Sequence, residues 1–245
     1  MRDLERYQAD YETLPFEAVQ AAYRRRHVIE TLDRFGGGDV LEVGCGTEAL
    51  FLHYKAYRSM LVVEPAAQFH ARALAAAHGR ANVGVLLGGL QQVAPQLAPR
   101  HFDRIVMSSL LHEIPDPGAL LACARDLCPD HSTLHVYVPN ARSFHRLLAL
   151  EMGLIKDVHE VSATQARMQQ SATYDRDTLA ALLDASGFDV IESGSFFIKP
   201  FTHAQMAELR EKGLLPDLML DGLYGLSRHL PDAGSELYAV ARRKP

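Results

Sequence analysis

Two carboxylates flank a pair of glycines near the start of the chain. Glu42, Gly44 and Gly46 fall on alternate positions with Cys45 between the glycines, and Glu64-Pro65 closes the next apolar run. Glycines at that spacing let the backbone turn sharply and leave a ligand room to approach. A carboxylate at the end of a strand can accept both hydroxyls of a ribose, one on each oxygen. Adenosine-bearing cofactors are the natural ligands of such a set. A second set lies downstream. His112 stands in SSLLHEIPDP, where Ser108, Ser109 and Leu110 precede it, and His145 stands in PNARSFHRLL. Imidazole changes charge near neutral pH and is suited to removing a proton from an acceptor. Arg146 and Lys199 are candidates to pair with an anionic or hydroxylated acceptor.

Other chemistries have less support. His131 and His135 are four apart, but on a turn and a strand, where that spacing builds no helix face for a metal. No metal site is expected. Cys45 has no neighbouring base and reads as a small buried loop residue. Ser108-Ser109 lacks the G-x-S-x-G elbow of a hydrolase.

The elements that must hold these residues alternate between strand and helix. Val40, Leu41 and Val43 form a short apolar run, as a parallel strand covered on both faces requires. The glycine turn follows, then a helix whose first amides and positive dipole end suit an anion. Leu61-Val62-Val63 is the second strand, ending on Glu64. AAQFHARALAAAHG reads as a helix stopping at Gly79, Asn82 to Leu87 as a third strand, and Gly88-Gly89-Leu90 as its exit. Phe102 to Met107 is the fourth strand and LHVYVPN the fifth, with a helix over GALLACARDLC between them. A helix from Arg176 to Gly187 precedes two closing strands, FDVIESGSFFIK and SELYAVARR. Ahead of all this, Thr13 and Pro15 signal a helix start, and Val19, Ala22, Ile29 and Leu32 give it an apolar face.

Two families share the opening pattern. Gly44, Gly46 and Ala49 satisfy the dinucleotide pattern G-x-G-x-x-G/A. Glu42, Gly44 and Gly46 instead match E/D-x-G-x-G-x-G, and on that acid the chain resembles the class I S-adenosylmethionine-dependent methyltransferases. The resemblance implies an α/β fold: a doubly wound, mostly parallel seven-stranded sheet with an antiparallel last strand. It implies S-adenosylmethionine as cofactor, bound by Glu42, Gly44, Cys45, Gly46, Glu64, Pro65, Gly89, Leu90, Ser108 and Tyr11. His112 and His145 are then the catalytic candidates, with a small-molecule acceptor methylated on oxygen or nitrogen, a sugar or a secondary-metabolite intermediate. Residues 1–35 would form a helical cap in which Tyr7, Tyr11 and Tyr23 line the site. Segments 141–175 and 201–232 would be insertions covering the acceptor, all within one domain spanning 1–245. The chain departs from the family in three places. No acid follows the third strand, Pro129-Asp130 replaces a proline-glycine-glycine turn, and Glu48 stands where the third glycine belongs. Two other readings stay open: a nicotinamide-dependent oxidoreductase, and a non-catalytic relative that binds or assembles.

Composition bounds these readings. The chain has 245 residues, 48% hydrophobic and 22% charged, which is globular. A net charge of −5 gives no reason to expect a nucleic-acid partner. Arg24-Arg25-Arg26 is expected on a solvated helix face. Three cysteines make no disulfide framework and fit a reducing compartment. The charged start carries no signal core, no apolar stretch is long enough to span a bilayer, and a cytoplasmic location is expected. A homodimer stays open.

Overall fold

A computed structural model describes residues 13–98 and 100–245, with Leu4 and Arg6. Seven strands form one sheet: β1 Asp39–Val43, β2 Ser59–Glu64, β3 Val83–Leu87, β4 Arg104–Ser108, β5 Thr133–Pro139, β6 Phe188–Phe196 and β7 Glu236–Arg243. Their order across the sheet is β3-β2-β1-β4-β5-β7-β6. The first five run parallel, with Leu41 level with Leu61 on one side and Ile105 on the other. β7 slots between β5 and β6 antiparallel to both, the closing arrangement expected from the sequence. The order reverses direction at β1 and β4, so a crevice opens beyond their carboxyl ends, where ligands of open α/β sheets bind.

Central strands are apolar throughout because both faces are covered. On one face, Leu41, Val43, Ile105, Met107, Leu134 and Val136 pack against α3 (Leu90–Leu97), α4 (Pro117–Asp126) and α7 (Arg176–Ala185). On the other, Val40, Val62, Val106 and Tyr137 meet α1 (Glu17–Phe35), α2 (Ala67–Ala77), α8 (His203–Glu211) and α9 (Asp217–Gly225). Between β5 and α7 lie α5 (Phe144–Glu151) and the short α6 (Ala163–Arg167). No helix among the described residues is long and apolar enough to cross a membrane.

Two local expectations are corrected. The glycine turn leads not into a full helix but into a single 3₁₀ turn, Leu50–Leu52. Glu42 holds this turn, accepting the Leu50 N–H at 2.9 and 3.1 Å on its two oxygens. α1 packs Val19, Ile29 and Leu32 on the core as expected but leaves Ala22 exposed, and it also buries Glu17, Gln20, Arg24, Val28 and Thr31. Its buried stripe is polar in the first half because that half faces cavities rather than core.

Candidate functional site: two joined cavities

The first cavity lies over the β1 and β2 ends. Gly44 (φ 77°) and Gly46 (φ 57°) both sit in the left-handed region that a side chain disfavours. The Gly44 N–H donates to Val63 O at 2.8 Å, which ends β1 and frees the next amides to turn inward. Those amides meet Glu64: Cys45 N–H at 2.9 Å and Gly46 N–H at 3.2 Å on one oxygen, Ala66 N–H at 2.8 Å on the other. Glu64 was expected to offer both oxygens to a ligand. A carboxylate has about four acceptor sites, and three are already filled by backbone. Burial raises its carboxyl above the ordinary range against these three bonds. Burial likewise pushes Glu42 up to about 8, opposed by the Leu50 amide. Burial drives the Cys45 thiol far up, so it is no thiolate nucleophile.

Glu42, Gly44, Cys45, Gly46, Glu64, Pro65 and Ser108 all border this cavity, with Phe69 and Leu110 supplying apolar wall. Gly89 and Leu90 do not. Leu90 is buried in the core, and the Gly89 N–H is held by the Gln92 side chain at 3.0 Å. Tyr11 and Tyr7 lie outside the described residues. Tyr23 stacks on Phe197 with centroids 4.7 Å apart and donates to Asp221, a packing role in place of the expected cofactor contact.

The arginine run is not a solvated face. Arg24 is buried, donating to Glu236 at 2.6 Å and to Glu17 at 3.3 Å. Arg25 borders the first cavity and pairs with Glu48, whose other partner is His53 at 3.2 Å. Only Arg26 keeps a half-exposed position, bonded to Glu30 and Asp221. Glu48 therefore has a cationic partner, Arg25, on the protein itself.

A second, larger cavity of about 330 Å³ adjoins the first through shared walls, Arg24, Ser109 and Glu113. Ser109 adopts φ 58° with its N–H held by Tyr137 O at 2.8 Å. For a non-glycine residue that conformation costs about 1–3 kcal/mol and is retained where surroundings fix it. The 3₁₀ turn Leu111–Glu113 follows and carries His112 into the second cavity. His112 is 2% exposed, with Nε2 3.7 Å from the Glu113 carboxylate. Its carbonyl accepts from the Ser171 and Ala172 amides at 2.8 and 3.2 Å, which ties the 141–175 segment to this turn.

His145, on α5, borders the same cavity. Burial first, then Lys199, His203 and Arg146, pull it down to about 2, so it is a neutral imidazole and a poor base. Arg146 is occupied with Val158 O, Glu160 O and Gln165, fastening its own segment rather than reaching for an acceptor. Lys199 does border the cavity and is buried, pulled down to about 8 by that burial. Glu17, Gln20, Asn140, His203, Ser235 and Glu236 also border it, none of them anticipated. Gln20 donates to Ser235 at 2.9 Å and to Glu236 at 3.0 Å, contacts across more than two hundred residues of chain that no local spacing signals.

Known structures share this fold. The plantazolicin methyltransferase BamL, solved with a triazolic desmethylPZN analog and SAH, is 15% identical with a TM-score of 0.59, over 94% of this chain and 88% of its own. An S-adenosylmethionine-dependent methyltransferase from Mesorhizobium loti is 19% identical with a TM-score of 0.57, over 87% and 96%. The [4+2]-cyclase SpnF is 17% identical with a TM-score of 0.57, over 92% and 82%. Among curated proteins none matches. The sequence model of the methyltransferase domain matches residues 20–193, most of the chain including both glycines, Glu64 and His112. With that match and the strand order 3-2-1-4-5-7-6, the chain belongs to the methyltransferase-domain family, the class I S-adenosylmethionine-dependent enzymes its glycine motif resembles.

Proposed function

We propose that this protein transfers a methyl group from S-adenosylmethionine to a small molecule held in the second cavity. The observation that carries the reading is the join: a glycine-and-carboxylate cavity opens, past Ser109 and Glu113, onto a chamber that presents His112. The residues present fit the cofactor. At Gly46 a Cβ would meet nothing within 4 Å, so the turn leaves open space above it, and Glu64 retains acceptor capacity for a ribose hydroxyl. Gly44 to Gly46 would back the methionine end, and Arg25 is the cation nearest in kind to its carboxylate. When bound, S-adenosylmethionine supplies an activated methyl on a sulfonium.

The chain's own part is mainly alignment, worth up to ~7–11 kcal/mol when two reactants are held in attacking geometry. Ser109, held in one strained conformation, fixes the passage between the chambers. His112 takes the acceptor's proton or orients its hydroxyl or amine. The Glu113 carboxylate 3.7 Å from Nε2 offsets the charge such a ring gains, an interaction of ~4 kcal/mol at an effective dielectric near 20. His145 is a lining group and not the base. The acceptor is a sugar or secondary-metabolite intermediate, taken at oxygen or nitrogen; BamL, which is similar in fold, was solved with a triazolic desmethylPZN analog and SAH.

The test is a titration with S-adenosylmethionine, its demethylated product S-adenosylhomocysteine, and NAD. Binding of the first two in the micromolar range or weaker, with none of NAD, is expected. NAD binding alone would replace this reading with an oxidoreductase. Binding of none of the three would favour a binding or assembly role. Because a cyclase shares the fold, transfer itself must be read as labelled methyl appearing in a product.

A further inference from the structure

We propose that the acceptor carries an anionic group, a carboxylate or a phosphate, which seats on Lys199 between His145 and His203 in the second cavity. This rests on the reading of that cavity as the acceptor chamber. Lys199 follows β6, is 6% exposed, and makes no hydrogen bond or ion pair with any described residue. A buried ammonium without an acceptor is costly, and natural structures supply the partner from protein, water or ligand. Here the nearby carboxylates are committed elsewhere. Arg24 bonds Glu17 and Glu236, and Gln20 adds a further donor to Glu236. They lend Lys199 a distant electrostatic support without a hydrogen bond.

Two imidazoles complete the recess. The His145 Nδ1 is buried with no hydrogen-bond partner, and His203, at the start of α8, makes no hydrogen bond with a described residue. Both line the same cavity as Lys199, and burial first, then the lysine's charge, holds His145 down to about 2 and His203 to about 3. At neutral pH each therefore offers one N–H without charge, while Lys199, near 8, is still mostly protonated. One charge and two neutral donors make an anion-recognising set. Leu14, Ile155 and Met168 line the same chamber and give the rest of the acceptor some apolar wall.

The charged groups around Lys199 come from every neighbouring element: Glu17 and Arg24 on α1, His145 and Arg146 on α5, His203 on α8 and Glu236 on β7. Lys199, held near 8 by its burial, loses its charge as pH rises from 7 to 9, so anion affinity falls across that window.

The experiment is calorimetry on protein loaded with S-adenosylhomocysteine, using benzoate, phenyl phosphate and neutral benzamide as probes. At pH 7 at least one anion should bind tenfold or more tighter than benzamide, and the better of the two names the group. Lys199→Met keeps the length of the side chain and removes its charge; it should erase the preference and leave S-adenosylhomocysteine affinity unchanged. Raising the wild type from pH 7 to 9 should erase most of the preference without any substitution. Equal binding of all three probes, no binding of any, or a preference that survives both Lys199→Met and pH 9 would overturn the proposal. Failure of S-adenosylhomocysteine to bind would instead sink the methyl-transfer reading, and the probe preference would still be measured on the unloaded protein.

Discussion

The two cavities are built by different means. In the first, main-chain amides from the ends of two adjacent strands, Cys45 and Gly46 after β1 and Ala66 after β2, converge on one buried carboxylate. In the second, they are side chains gathered from α1, the turn after β4, α5, the segment after β6, α8 and the start of β7. Backbone cannot be substituted away, and a turn of glycines allows few alternatives. Side chains can be exchanged one at a time on an unchanged frame. A binding site shared by many enzymes suits the first construction, and a site that must be tailored to one acceptor suits the second.

Substitutions can break this contrast. The largest effect is expected at His112→Ala, which should lower turnover ~10²–10⁴-fold with little change in cofactor affinity; equal losses in both, in steady-state kinetics and calorimetry, would merge the two chambers functionally. Next is Arg24→Met, which removes the buried guanidinium that bonds Glu17 and Glu236 and borders both cavities. It should cost about 3–5 kcal/mol in denaturant unfolding, and a loss below 1 kcal/mol would mean the clasp is solvated. Glu64→Ala removes the acceptor for three amides and for the ribose, and should weaken S-adenosylmethionine by ~2–4 kcal/mol. Unchanged affinity would place the ribose elsewhere.

Glu42 sharpens the contrast through pH. Its carboxyl is raised from 4.5 to about 8, so below pH 4.5 folded and unfolded forms are both protonated. As pH rises toward 8 only the unfolded chain releases that proton, and stability falls across the window by at most ~1.4 kcal/mol per pH unit. Glu42→Gln, which can still accept from Leu50, should flatten that slope in a series of urea melts. The smallest effect belongs to Glu48→Gly. Its pair with Arg25 is half open to solvent and worth ~0.2–1 kcal/mol, so cofactor affinity should move less than tenfold.

Much of the first cavity was legible because its chemistry lies in short contiguous words. Glu42, two glycines and Glu64 sit at the ends of adjacent strands, and alternation of apolar runs with helices predicts the sheet that aligns them. The errors came from reading each word with an average grammar. A helix is expected after Gly46, where Glu42 instead holds a single 3₁₀ turn through the Leu50 N–H, and the Gly89 N–H expected to face a ligand is held by the Gln92 side chain. The second cavity was legible at Ser109, His112, His145, Arg146 and Lys199, whose types or place in a motif invite notice. Gln20 and Arg24 escaped because an amphipathic helix is recognised by its apolar stripe, and the stripe that α1 buries begins with Glu17, Gln20 and Arg24.

The bonds from Gln20 and Arg24 to Ser235 and Glu236 span 212 to 216 residues of sequence. They also bear on when the protein becomes competent. A ribosome releases α1 before the strands of the sheet and β7 after the other six, so the clasp between them closes after every other strand has been made. β7 must thread between β5 and β6, already present, before Glu236 can reach Arg24. Contacts of such separation form late because their loop entropy must be met first. A nascent chain then holds the glycine loop and its carboxylate long before it has a walled acceptor chamber. Cofactor capture should precede the capacity to turn over, an order that pulse-labelled synthesis in vitro would time directly.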